Sequence, residues 1–166
     1  MDNNAQSNSV NLVIEREFEM KGKFLTYYLD MQLYAISIHD VVQIVSMQLI
    51  NEIPDSPNYL KGVINLRGSI IPVIDIRLRL AKPEKAYDER TCIIVVIIEQ
   101  KEIGIIVDEV DAVVSILGED ISTAPQISNT QNYFPCIAKL DSKVVLIMDS
   151  SRIVPDNLIV DVEKKV

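Results

Sequence analysis

Tryptophan is absent from these 166 residues, phenylalanine occurs three times and histidine once. A core without large aromatics must be filled by Ile, Val and Leu, which at this density are strand formers. The single histidine, His39, is the one base open to a Ser-His-Asp or Cys-His arrangement. It stands at a strand end beside Asp40, where a turn or capping role is the ordinary one. CxxC and HxxxH spacings are missing, as is any His/Cys cluster that suits zinc. The five glycines are scattered and build no P-loop. "DEVD" at 108–111 lacks the ligand alternation and closing glutamate of a calcium loop. No catalytic residue, cofactor or metal is therefore expected. Long apolar runs are also missing. "CIIVVII" at 92–98 is far too short to span a bilayer, and the first residues show neither a basic nor an apolar leader region. A cytoplasmic protein is expected. Positive charge is in deficit: the net charge of −8 opposes nucleic-acid or anionic-membrane binding. Cys92 and Cys136 lie in apolar runs and read as reduced thiols.

What the chain does contain is a pattern written twice. "YAISIHDVVQIV" (34–45) aligns without gaps with "IGIIVDEVDAVV" (103–114), and "VINLRGSIIPVID" (63–75) with "IAKLDSKVVLIMD" (137–149). Leu66 meets Leu140, the turn Arg67-Gly68-Ser69 meets Asp141-Ser142-Lys143, and Asp75 meets Asp149. Such self-similarity predicts two copies of one small fold. Each copy would hold roughly 65 residues, close to the lower limit for an independent core. The halves are therefore expected to lean on each other or share a strand.

Local signals divide each copy into hairpin, short helical turn, strand, loop, hairpin and short helix. Residues 23–29 and 33–38 flank a turn at Asp30-Met31-Gln32. Asp40 is the expected N-cap of the turn that leads into 40–45. Residues 62–67 and 70–75 flank Arg67-Gly68-Ser69, where Gly68 can supply positive φ. Pro72 predicts an edge strand or a nearby bulge. "DIRLRLA" (75–81) and "DSSRIV" (149–154) have short helical spacing. The second copy opens with strands at 91–98 and 102–107, "DEVD" matches the first copy's short turn, and 117–135 reads as the longest loop. The charged stretch 82–90 marks a boundary. This gives a flexible tail at 1–19, units at 20–85 and 86–154, and a tail at 155–166. About five antiparallel strands per unit close most economically into a small barrel, and the all-apolar run 92–98 suits a strand covered on both faces. The expected class is all-β: two pseudo-repeated five-stranded barrels with short helical turns.

Charge is uneven, with seven Lys/Arg against four Asp/Glu in 61–90 but one against seven in 99–120. That distribution suits solvated faces or contact surfaces of opposite sign. Corresponding apolar residues, Val41 and Ile44 in the first unit and Val110 and Val113 in the second, fill a core or line a groove between the units. Such a groove suits an amphipathic helix.

"YLKGVINLRGSIIPVIDIRLRL" (59–80) resembles the signature of the CheW family of chemotaxis adaptors, and the likeness runs in order over about 20–154, including "GIIVDEV" at 104–110. The resemblance implies two SH3-like barrels and no catalysis. It also implies an adaptor that ties the cytoplasmic tips of chemoreceptors to the regulatory domain of the CheA kinase and supports array assembly at the membrane. Carried over by position, the receptor-facing groove comprises Ile38, Val41, Gln43, Ile44, Arg67, Val110 and Val113. The kinase contact comprises Gly62, Arg67 and Gly68. Gln43 departs from the glutamate that members often carry, which turns an ionic contact into a neutral hydrogen bond. The isolated protein is expected to be a monomer. Competing readings are a carboxylate-pair enzyme, for which no specific pair stands out, and an unrelated tandem SH3-like module of the RNA-binding kind, which the charge opposes.

Overall fold

The computed structural model describes residues 22–125 and 133–155. The expected tails, apart from Pro155, and the middle of the loop at 117–135 lie outside the described residues. Among those residues the first half supplies β1 (Lys23–Leu29), β2 (Gln32–Ser37), β3 (Val41–Ser46), β4 (Leu60–Leu66), β5 (Ser69–Asp75) and a helix at Ile76–Arg79. The second supplies β6 (Cys92–Ile98), β7 (Lys101–Val107), β8 (Glu109–Ser115), β9 (Ile121–Thr123), β10 (Cys136–Leu140), β11 (Lys143–Met148) and a helix at Ser150–Ile153. Turn chemistry places the hairpins. Arg67 and Gly68 have φ of 54° and 89°, the two positive values a two-residue hairpin turn needs. Asp75 and Asp149 start the two helices: the Asp75 side chain accepts the Arg77 and Leu78 N–H groups, and that of Asp149 accepts the Ser151 N–H.

The strands form two sheets, ordered β8-β1-β2-β11-β10-β9 and β3-β6-β7-β5-β4. Each contains one parallel pair, β2 with β11 and β5 with β7, where purely antiparallel strands were expected. The chain passes from the first sheet to the second at Ile38–Asp40 and returns at Asp108. Each expected unit, 20–85 and 86–154, therefore contributes to both sheets, and the connector at 82–90 joins β5 to β6 within one of them. The end strands of a sheet are not hydrogen-bonded to each other. The chain itself spans the gap: beyond β3, Asn51 bridges to Val63 of β4, and beyond β8 a 3-10 turn at Gly118–Asp120 leads into β9.

Three apolar layers follow. Between the sheets lie Leu25, Tyr27, Leu29, Tyr34 and Ile36 from one, and Ile74, Ile94, Val96, Ile103 and Ile105 from the other. Tyr27 stacks on Tyr34 at 5.6 Å, and its hydroxyl donates to Met148 Sδ at 3.2 Å. Each sheet also covers a cluster on its other face, around Ile64, Val73, Ile93 and Val95 in one and Leu33, Ala35, Ala138 and Val145 in the other. Strand β6 divides its side chains between two clusters, which is why 92–98 is apolar at every position.

Several local expectations are corrected. Ser37, not Asp40, caps the turn at Ile38–Asp40, and Asp40 accepts the Ser150 hydroxyl at 3.2 Å. "DEVD" forms no helical turn, because β8 begins at Glu109. Pro72 lies in an interior strand, not at an edge, while the alternative, a nearby bulge, is present between Leu60 and Gly62 opposite Val73 and Ile74. Val63 exchanges both its N–H and its C=O with Asn51 at 2.9 Å, so the Val63–Pro72 pair is not hydrogen-bonded. Pairing with β7 begins only at Val73. The missing N–H thus removes no ladder bond. Cys92 and Cys136 are free and half-buried, and burial pushes the Cys92 thiol up.

Gly62 carries the tightest backbone approach. Its φ is 143°, and a Cβ built there would sit 2.1 Å from the Asn51 carbonyl oxygen. Gly62→Ala is expected to separate the Asn51 bridge from β4 and to lower stability by on the order of 3 kcal/mol, read from urea unfolding.

Candidate functional site

Two edge strands, β3 of one sheet and β8 of the other, carry the apolar residues of interest. Residues three apart on a regular strand point to opposite faces. Both strands break that rule by a bulge. Opposite β1, Val110 pairs with Tyr27 and Val113 with Leu25, with a register shift between them. Opposite β6, Val41 pairs with Val96 and Ile44 with Ile94, with a shift at Val42. Tyr27, Leu25, Val96 and Ile94 all belong to the layer between the sheets. The extra residue in each edge strand therefore turns Val41, Ile44, Val110 and Val113 toward that one layer. Val41, Val110 and Ile38 pack against it, while Ile44 and Val113 remain 44% and 56% exposed at its margin. The outcome is an apolar margin with half-buried inner residues and exposed outer ones.

The other expected site residues fall elsewhere. Gln43 pairs with Val95 and faces the opposite side of β3, beside Val45 on the cluster inside the second sheet. The bulge that gathers Val41 and Ile44 sends Gln43 away from them, so the structure does not place it in the groove. Arg67 and Gly68 form the exposed tip of the β4–β5 hairpin, and strands β6, β7 and β5 separate β4 from β3 in hydrogen-bond order. The Gly68 N–H donates to Asn65 Oδ1 at 2.9 Å, which braces the tip. Gly62 is buried, and its place is explained by the Asn51 crossing rather than by a surface of its own.

Sequence reasoning missed an ionic junction at the return crossing. Arg77 Nη1 donates to Asp30 Oδ1 at 2.8 Å and to Asp108 Oδ2 at 2.9 Å, and Arg77 Nε donates to the Pro83 carbonyl at 3.1 Å. The Asp30 N–H also donates to Asp108 Oδ2 at 2.8 Å. Turn β1–β2, the helix after β5 and the crossing into β8 thus meet on one guanidinium. The junction brings together residues far apart in sequence, so no local pattern marks it. Close by, Asp75 Oδ2 accepts the Tyr87 hydroxyl at 2.7 Å. Burial, followed by this bond to a carboxylate, pushes the phenol up. Arg79 lies 4.8 Å from the Tyr59 ring centre and 4.9 Å from that of Tyr133, and its Nε donates to the Ile153 carbonyl at 2.6 Å. It ties the ends of the two halves together. No helix among the described residues is long and apolar enough to cross a membrane.

Comparison with known proteins covers nearly all of this frame. The CheW-like domain family matches residues 23–157. The chain is 34% identical over 133 residues to the chemotaxis protein CheW of Klebsiella aerogenes, which covers 79% of this chain and 80% of that protein. It is 32% identical over 139 residues to the chemotaxis protein CheW of Bacillus subtilis, covering 82% and 89%. The crystal structure of the scaffolding protein TtCheW from Thermoanaerobacter tengcongensis superposes with a TM-score of 0.77 at 33% identity, over 82% of this chain and 94% of that one.

Arg77→Met is expected to leave Asp108, whose side chain is 11% exposed, with only the longer 3.7 Å contact to Lys85 Nζ, and to lower stability at neutral pH by about 2–4 kcal/mol. The Arg77 hydrogen bond holds the Asp30 carboxyl below the usual carboxylate range. Stability from a depressed carboxylate is complete above the unfolded value of about 4 and is lost as pH falls through the folded one. The gap in melting temperature between wild type and Arg77→Met should therefore narrow in acid below that value, as read by calorimetry over a pH series.

Proposed function

The chain belongs to the CheW-like domain family and is a chemotaxis adaptor; from that premise we propose that it couples the cytoplasmic tips of chemoreceptors to the CheA kinase and performs no catalysis itself. The observation that carries this reading is the set of four apolar residues, Val41, Ile44, Val110 and Val113, turned to one side by two bulges. An apolar margin between two sheets suits the apolar stripe of a helix, the form in which a receptor tip would dock. Ile38 extends the same surface.

We further assign the kinase contact to the opposite side of the second sheet, at the Arg67-Gly68 tip, with the loop that Gly62 and Asn51 hold in place. Arg67 is exposed there, and its guanidinium has no hydrogen-bond or ion-pair partner among the described residues, so it is available to a carboxylate of the CheA regulatory domain. In this reading each sheet with its closing chain segment is an SH3-like barrel. The segments 20–85 and 86–154 are copies of one unit that have exchanged their first hairpins. Register supports the exchange: Leu25 pairs with Val113 as Ile94 pairs with Ile44, and the same sequence offset relates both members of each pair. The protein is a cytoplasmic monomer when isolated and joins receptor arrays through its partners.

Val113→Asp is expected to weaken binding of a chemoreceptor tip fragment by at least about tenfold while leaving the unfolding transition in place. Isotope-labelled NMR titration reads both, and normal binding by this variant would refute the groove. Arg67→Ala should spare tip binding and reduce kinase activation in reconstituted arrays. Wild-type activation by Arg67→Ala would count against the kinase contact at the hairpin tip.

A further inference from the structure

The two bulges are not held in the same way. On β3 the extra residue is Val42, and the residues facing it on β6 are Val95 and Val96, which offer no side-chain hydrogen bond. On β8 the extra residue lies at Asp111-Ala112, opposite Thr26 of β1. Thr26 is fully buried, on the face of β1 opposite to Leu25, Tyr27 and Leu29. The Ala112 N–H donates to Thr26 Oγ1 at 3.2 Å. The Thr26 hydroxyl donates to Asp111 Oδ2 at 2.9 Å, with the Ala112 carbonyl at 3.0 Å as the other acceptor in reach. One hydroxyl thus engages both residues of the bulge. Without it, the Ala112 N–H and the Asp111 carboxylate lose their shared partner. A regular ladder, which would turn Val113 to the other face, then becomes the competing arrangement.

We propose that Thr26 and Asp111 are positioning residues for the receptor-facing groove, because their hydrogen bonds fix the bulge that turns Val113 to the same side as Val110. Neither residue touches the partner in this account. The lock acts through the facing of β8, the outermost strand of its sheet, whose free edge has no neighbouring strand among the described residues to hold register. The proposal rests on the groove reading above and adds to it a determinant of how one wall of the groove is presented.

The test is Thr26→Val in the full chain, which keeps the shape of the side chain and removes the hydroxyl. Affinity for a chemoreceptor tip fragment is expected to fall by about tenfold, with affinity for the CheA regulatory domain unchanged. Thr26→Ser, which restores the hydroxyl, should return tip affinity to within about twofold of wild type. NMR cross-strand contacts report the facing directly: the Leu25–Val113 pairing should be lost in Thr26→Val and present in Thr26→Ser. An intact Leu25–Val113 pairing with wild-type tip affinity in Thr26→Val overturns the proposal. If Thr26→Val does not fold, Asp111→Ala opens the lock from its exposed side, and unchanged pairing and affinity there overturn it equally. Failure of the groove is distinguishable, since it appears as normal tip binding by Val113→Asp while the pairing readout still decides the lock.

Discussion

The rest of the structure depends on the apolar layer between the two sheets. Neither sheet can bury its inner face without the other, because Leu25, Tyr27 and Leu29 on one side find their cover in Ile94, Val96 and Ile105 on the other. Halves of roughly 65 residues are too small to hold such a face dry alone. The pairing of β2 with β11 and of β5 with β7 makes the mutual dependence explicit, because a strand from each half completes a sheet with strands of the other. The carboxylates sit where this arrangement is most exposed to error. The chain changes sheets twice, and each crossing is fixed by an aspartate: Asp40 by Ser150, and Asp108 by Arg77 and the Asp30 N–H.

Much of the fold was legible in the sequence where the cause is local. Hairpin turns, the short helices after Asp75 and Asp149, and the doubly covered strand at 92–98 follow from turn residues, capping and composition. Each half runs hairpin, strand, hairpin and short helix, although the second half has no helical turn before β8 and adds β9. Parallel pairings were not legible, because nothing within β2 or β5 says which distant strand will lie beside it. Pro72 signals an edge or a nearby bulge: the bulge is present between Leu60 and Gly62, and the edge is not, because the Asn51 bridge, set by a segment twelve residues upstream of Val63, makes the missing N–H harmless.

The sequence singles out the apolar residues of the candidate site, while the arrangement that brings them to one face could not be read. Val41 with Ile44, and Val110 with Val113, have a spacing that suits a helical turn. They lie on strands, and a bulge in each strand converts that spacing into a common face. The same bulge removes Gln43 from the set. A single inserted residue leaves no compositional mark, so only the register reveals it. Arg77 illustrates the converse. It belongs to the stretch whose likeness to the CheW family is most specific, yet its partners Asp30 and Asp108 lie in the first hairpin turn and at the entry to β8, and the chain must fold before they meet.

The route of the chain between the sheets carries a consequence for biosynthesis. Residues 41–107 hold every strand of the second sheet, so that sheet can form as soon as its own segment has left the ribosome. The hairpin made by β1 and β2 emerges first, yet its neighbours β8 and β11 are synthesised last. At elongation speeds of about 5–20 residues per second, it waits on the order of 5–20 s with its apolar face uncovered and both edges open. The first segment to appear is thus among the last to be secured, and its entry completes both its own sheet and the buried layer that joins the two.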